Sequence, residues 1–162
     1  MKVKDVMTAT PASCDSKANL GTAAEILWNR NCGILPVVDT NGKVIGVVTD
    51  RDLCIALGTR NRLPGEITVG QVASNKVLTC KPDDDIREAL NTMAQGKVRR
   101  LPVVNAEGNL EGILSMDDVV LHAEVGIAGK ASDLSFDTVA GALKRLYRPE
   151  LPDVARQRAA SA

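Results

Sequence analysis

The chain has 162 residues, 44% of them hydrophobic, with 20 Lys and Arg against 20 Asp and Glu and three aromatic side chains, Trp28, Phe136 and Tyr147. That is one domain of ordinary size or two very small ones, with enough apolar content for a core that needs no staples. Zero net charge argues against a general nucleic-acid binder, which needs a cationic excess against phosphates, and so few aromatics exclude a stacking platform for single strands. No stretch reaches the length of about 18 apolar residues that a transmembrane helix requires, so no membrane partner is expected. The start, Met1-Lys-Val-Lys-Asp5, has no apolar secretory region. The four cysteines form no CxxC, and His122 is the single histidine, so no zinc site is expected. The cysteines read as small buried side chains of a reduced, cytoplasmic protein.

Sliding the chain on itself by 66 residues gives a gap-free match. Leu35-Pro-Val-Val38 falls on Leu101-Pro-Val-Val104, Gly46 on Gly112, Asp52 on Asp118 and Cys14 on Cys80, and Thr49 falls on Ser115, which keeps the hydroxyl. Each copy opens with a short amphipathic turn, Val3–Met7 or Val69–Ala73. A short strand is predicted next, near Ala12–Cys14 and Val77–Cys80. A helix follows, capped by Asn19 or Asp85, and Asp85-Ile-Arg-Glu88 reads as a capping box. Leu20, Ala23, Ala24 and Leu27, like Ile86, Ala89, Leu90 and Met93, recur at the spacing of one helical face.

Two strands come next, Ile34–Val38 and Val44–Thr49, then Arg100–Val104 and Leu110–Ser115. Asp39-Thr-Asn-Gly42 and Asn105-Ala-Glu-Gly108 supply the turns between them. A second helix is predicted from Asp50 to about Leu57, and from Met116 to about Glu124. The expected architecture is an α/β (α+β) fold. Two tandem β-α-β-β-α repeats pack face to face with pseudo-two-fold symmetry, because a single unit leaves one sheet face bare. Residues 1–58 form the first repeat, 59–68 a linker and 69–125 the second repeat. Residues 126–162 read as a loop, a C-terminal helix and a disordered tail. Asp133 or Ser135 caps that helix, Val139, Leu143 and Leu146 form its apolar stripe, and Pro149 ends it.

The chemical signal lies where a strand runs into a helix, at Gly46-Val-Val-Thr49-Asp-Arg-Asp52 and Gly112-Ile-Leu-Ser115-Met-Asp-Asp118. A helix start presents unpaired N–H groups that suit a phosphate. The Thr or Ser hydroxyl can donate to a phosphate oxygen. The carboxylate one turn on can accept from two ribose hydroxyls. The plainer reading is a hydroxyl N-cap with Asp at N3. Occurrence at the same place in both repeats favours the ligand reading.

The repeated Leu-Pro-Val-Val, turn and Gly-x-x-hydroxyl-x-x-Asp resemble the CBS domain from Val3 to about Glu124, and two tandem copies resemble a Bateman module. The resemblance implies two clefts between the copies that bind adenosyl ligands: AMP, ADP or ATP foremost, S-adenosylmethionine or NAD(H) otherwise. It also implies homodimers. Carried over residue by residue, Thr49 and Ser115 are the hydroxyls that touch phosphate or ribose, and Asp52 and Asp118 the ribose-binding aspartates. Ile34 and Pro36, with Arg100 and Pro102, flank the nucleoside. Thr10 and Lys76 lie where the chain passes the base.

The copies differ. Arg51 in one corresponds to Asp117 in the other, and Lys97, Arg99 and Arg100 correspond to Asn31, Gly33 and Ile34. Cationic residues are thus traded between two places, Lys97-Val-Arg-Arg100 reads as a solvated turn or as a phosphate clamp with bidentate arginine contacts, and a carboxylate beside a phosphate disfavours a polyphosphate. Two non-equivalent sites, or one occupied site, are expected. Trp28 adds apolar surface to the first copy and suggests a dimer contact. No pattern for catalysis is legible, neither a Cys–His pair, a Ser-His-Asp set nor a Walker loop, so no enzyme is expected. The function expected is ligand sensing, passed on through a dimer or an unidentified regulated protein. The alternative is a ligand-independent interaction scaffold.

Overall fold

Asn19 and Asp85 start the first helix of each repeat. Asn19 Oδ1 accepts from Thr22 N–H at 2.9 Å and opens α1, Leu20–Asn29. Asp85 Oδ1 accepts from Arg87 N–H at 2.8 Å and opens α3, Ile86–Gly96. Asp85 therefore caps the second amide of its helix, and the capping box expected with Glu88 is not formed. On α1 the buried positions are Leu20, Ala23 and Leu27, while Ala24 is exposed; on α3 Ile86, Ala89, Leu90 and Met93 are all buried.

The computed structural model describes residues 1–124 and 134–148. The loop expected at 126–132, a cap at Asp133, the stop at Pro149 and the tail from Pro152 lie outside the described residues.

The remaining elements are β1 (Thr8–Ala9), β2 (Cys14–Asp15), β3 (Ile34–Val38), β4 (Val44–Thr49), α2 (Asp50–Arg60), β5 (Arg100–Val104), β6 (Leu110–Ser115), α4 (Met116–Leu121) and α5 (Phe136–Tyr147), with 3-10 turns at Val3–Asp5, Pro64–Glu66 and Val69–Gln71. They make a mixed α/β fold with two three-stranded sheets, ordered β2-β3-β4 and β1-β6-β5. The hairpins β3–β4 and β5–β6 are antiparallel in matching registers, Ile34 opposite Thr49 and Arg100 opposite Ser115. Gly42 and Gly108 take φ of 80° and 87° in the turns, where a Cβ would be strained. The two turns also bond to each other, Val44 N–H to Gly108 O and Leu110 N–H to Gly42 O, across the pseudo-two-fold axis.

Several lengths differ from expectation. The strand predicted near Val77–Cys80 is a single bridge between Cys80 and Val103. Helix α2 runs on to Arg60, within the segment read as linker, where Ile67 is fully buried. Helix α4 stops at Leu121, short of Glu124.

The larger surprise is an exchange between repeats. β1, from the first repeat, pairs with β6 of the second, Thr8 opposite Ile113. Its pseudo-symmetric counterpart is the bridge between Ser74 and Val47. The packing follows the pairing. Val3 and Val6 belong to the core of the second repeat with Leu90, Leu101 and Leu114. Val69 and Ile67 belong to the core of the first, with Leu20, Leu35 and Val48. Each such side chain stabilises by about 1.5–3 kcal/mol when buried, and here that burial ties one repeat to the other. Helix α5 completes the second core through Val139, Ala142 and Leu146, with the expected Leu143 only partly buried against it.

Candidate functional site

The hydroxyl residues stand at the ends of β4 and β6 because each caps the following helix. Thr49 Oγ1 accepts from Asp52 N–H at 3.2 Å, and Asp52 Oδ2 accepts from Thr49 N–H at 2.9 Å and from the Thr49 hydroxyl at 2.6 Å. Ser115 and Asp118 repeat the arrangement at 3.1, 2.8 and 2.5 Å. Both pairs are reciprocal capping boxes. The plainer reading of the motif is thus realised in full, and any ligand must share these groups with the helix starts.

Two clefts lie between the repeats. The first, of about 480 Å³, brings together Thr10, Ile34, Arg100, Ser115, Asp117 and Asp118. The second, of about 400 Å³, brings together Thr49, Arg51, Lys76, Ile34, Arg100 and Pro102. They are pseudo-symmetry mates: an offset of 66 residues carries Thr10 onto Lys76 and Ile34 onto Arg100, and relates Thr49 to Ser115. Each takes its hydroxyl junction from one repeat and its opening loop from the other, which follows from the exchanged β1 pairing. Pro36 is buried and Asp52 half-buried, and neither lines a cleft. Asp118 does line its cleft, and its second oxygen accepts from the Thr8 hydroxyl at 3.3 Å.

Several wall residues were not among the candidates. Thr8, Arg30, Asn31 and Cys32 line the first cleft, whereas Lys97 and Arg99, which the sequence did single out, line the second. Asn31 could have been found from its 66-residue relation to Lys97. Both follow the first helix of their repeat in a left-handed conformation, φ 48° and 55°. Thr10 is also left-handed, φ 49°; a β-branched side chain there stores strain of about 1–3 kcal/mol.

Charge divides the clefts unequally. The second holds five cationic side chains, Arg51, Lys76, Lys97, Arg99 and Arg100, against the single carboxylate of Asp50. The first sets Arg30 and Arg100 against Asp117 and Asp118. The cationic residues that the sequence distributes between two places converge on one cleft, because Arg51 of one repeat faces the α3–β5 junction of the other. Arg100 reaches both, with its guanidinium 3.8 Å from Asp117.

The cysteines divide as well. Cys14 and Cys80 are buried, and burial pushes their thiols up to about 11 and about 12, so both stay protonated at neutral pH. Cys54 is exposed and Cys32 half-buried, against the expectation of a uniformly buried set. Among the described residues no group of three or more His, Cys, Asp and Glu side chains is placed to hold a metal ion, and no helix is long and apolar enough to cross a membrane. Trp28 is 85% exposed, beside an open depression lined by Ala24, Leu27, Leu53 and Leu57 and by the polar Asn31, Asp50 and Arg100.

The CBS domain family matches this chain twice, over residues 3–59 and 69–124. The chain belongs to the CBS domain family. It is 32% identical over 120 residues to the CBS domain-containing protein YhcV of Bacillus subtilis, covering 74% of this chain and 84% of that one. Curated relatives differ in size, and the chain spans from 91% down to 22% of their length. Its fold is similar to the CBS domain pair of protein MJ0100 in complex with 5-methylthioadenosine and S-adenosyl-L-methionine (TM-score 0.69, 26% identity, 75% of this chain and 94% of that one). It is also similar to CBSX2 in complex with AMP (TM-score 0.65, 29% identity, 74% of this chain and 93% of that one).

Proposed function

We propose that this CBS pair is a regulatory sensor, acting in the cytoplasm, that binds an adenosyl ligand in the clefts between its repeats. An adenine nucleotide, AMP, ADP or ATP, is the first candidate; S-adenosylmethionine or NAD(H) is the alternative. The ligand acts by its unequal affinity for two arrangements of a homodimer or of a complex with a regulated protein. One observation carries the reading: the same constellation of hydroxyl junction, opposite opening loop and strand start occurs twice, related by the repeat, and each time it walls a cleft. Similar CBS pairs in complex with AMP and with S-adenosylmethionine support it. The residues assigned to ligand are Thr10, Ser115 and Asp118 in one cleft and Thr49, Arg51, Lys76 and Pro102 in the other, with Ile34 and Arg100 shared.

A ligand-independent scaffold is the second reading. It is favoured by the closed capping box at Asp52, which lines neither of the two clefts, and by the exposed Trp28. A thermal-shift panel of AMP, ADP, ATP, S-adenosylmethionine and NADH separates the two. A ligand at 100 times its Kd adds about 2.7 kcal/mol to the native state, a rise of about 5 °C or more in a chain of this size. The sensor reading expects that rise with at least one ligand and its reduction in Arg100→Ala. Five flat curves would leave the scaffold.

A further inference from the structure

We infer that the two clefts sort ligands by charge. The Thr49 cleft selects a nucleoside di- or triphosphate, and the Ser115 cleft a nucleoside that carries no polyphosphate. The inference rests on the adenosyl-binding reading and adds which ligand goes where.

Its ground is what the pseudo-symmetry operation changes. Carrying the Thr49 cleft onto the Ser115 cleft replaces Arg51 by Asp117, Lys76 by Thr10, Lys97 by Asn31, Arg99 by Gly33 and Arg100 by Ile34. The exchange of Arg100 with Ile34 is neutral because both line both clefts, and Arg30 and the loss of Asp50 run the other way, yet the balance falls from five cations against one carboxylate to two against two. Among the described residues, none of these five cations forms an ion pair with a carboxylate that lines the Thr49 cleft. Among the described residues the side chains of Arg51, Lys76 and Arg99 form no ion pair or hydrogen bond, and Lys97 donates only to the neutral carbonyls of Arg145 and Arg148. A cleft that gathers like charges without neutralising them focuses a field that an anion relieves. Guanidinium groups add bidentate hydrogen bonds to phosphate oxygens. In the other cleft Asp117 lies 3.8 Å from Arg100 and spends part of the one cation both clefts share. Asp117 and Asp118 would also face any phosphate chain placed there.

The one exchange that reverses charge, and so shifts the balance most, is the pair Arg51 and Asp117. Both are exposed, the Asp117 side chain by 84%, so exchanging them does not disturb the core. The repeat itself demonstrates that either residue is compatible with the helix start. Titration calorimetry without divalent cations, using adenosine, AMP, ATP and inorganic tripolyphosphate, tests the sorting in the wild type, Arg51→Asp and Asp117→Arg, with melting curves to verify folding.

ATP is expected to bind the wild type at least about tenfold tighter than adenosine, the value of one charge-assisted hydrogen bond. That advantage should shrink as salt rises. Arg51→Asp should abolish the advantage and the tripolyphosphate heat while leaving adenosine bound. Asp117→Arg should create a second polyphosphate event. Equal affinity for ATP and adenosine, or tripolyphosphate binding indifferent to Arg51→Asp, would overturn the sorting and leave the adenosyl reading intact. Tripolyphosphate binding lost in Arg51→Asp, with no heat from adenosine or AMP, would uphold the charge selectivity and overturn the adenosyl reading.

Discussion

Gly46 and Gly112 occupy the same position in β4 and β6, and the structure explains both by close approach. A Cβ on Gly112 would lie 3.1 Å from Thr8 O and 2.5 Å from the Met7 sulfur; one on Gly46 would lie 3.2 Å from Ser74 O. In each case the obstacle is the opening segment of the other repeat, crossing the strand. Gly112→Ala is therefore expected to push β1 away from β6, at a cost of about 1–3 kcal/mol, the usual penalty for overpacking. Urea denaturation checks it: the midpoint should fall with little change in slope. An unchanged midpoint would mean that the opening segment yields freely. The same crossing brings Thr8 and Thr10 against Ser115 and Asp118, so the glycine protects the geometry of a cleft as well as a strand pair.

Helix α5 is held at both ends by means its own stripe does not reveal. Ser135 Oγ accepts from Thr138 N–H at 3.2 Å and caps the start. At the end, Lys97 Nζ donates to the carbonyls of Arg145 at 2.7 Å and Arg148 at 3.2 Å, and Arg145 donates to Asn91 Oδ1 at 2.9 Å. A cation on the last carbonyls satisfies orphan acceptors and complements the helix dipole. Lys97→Met keeps the aliphatic stem and the left-handed backbone but removes the donor. It should lower stability by about 1 kcal/mol, or about 2–4 °C in melting temperature. Amide exchange in α5 should accelerate while that in α1 stays unchanged. Equal protection in both proteins would show that the apolar face alone holds the helix. Lys97 also lines the cationic cleft, so one side chain joins the cleft wall to the C-terminal helix.

Across the whole molecule, ion pairs reinforce the exchange of opening turns. Lys2 and Lys4 of the first repeat reach Asp83 of the second at 2.9 and 2.8 Å. Hydrogen bonds from Lys4 and then Lys2 lower the Asp83 carboxyl from 3.8 to about 2. A carboxyl depressed in the folded state contributes stability above its unfolded value, and that contribution is lost as pH falls through the folded one. The pair should therefore help above about pH 4 and cease to help near pH 2. All three side chains are exposed, so salt should screen the effect. Melting curves of wild type and Asp83→Asn should converge as pH drops from 5 to about 2, and should lie closer together at high salt than at low. Curves separated by a constant gap would assign the difference to packing.

Local physics made much of this legible from the sequence. The 66-residue repeat, the Asn19 and Asp85 caps, the α3 apolar face and both hairpins follow from periodicity, capping chemistry and turn glycines, which act over a few neighbouring residues. The hydroxyl-x-x-Asp junctions were legible too, with both of their readings. What no local pattern encodes is which repeat each opening turn joins. Val3 and Val6 have the same apolar spacing whichever core receives them, and only three-dimensional packing sends them across. That choice decides the clefts: it brings Thr10 to Ser115 and Lys76 to Thr49, and gathers on one side the cations that are far apart along the chain. Sequence determined the repeat and its elements because those depend on short-range forces. Tertiary structure alone decided how charge is divided between the clefts, because that division depends on which distant segments become neighbours.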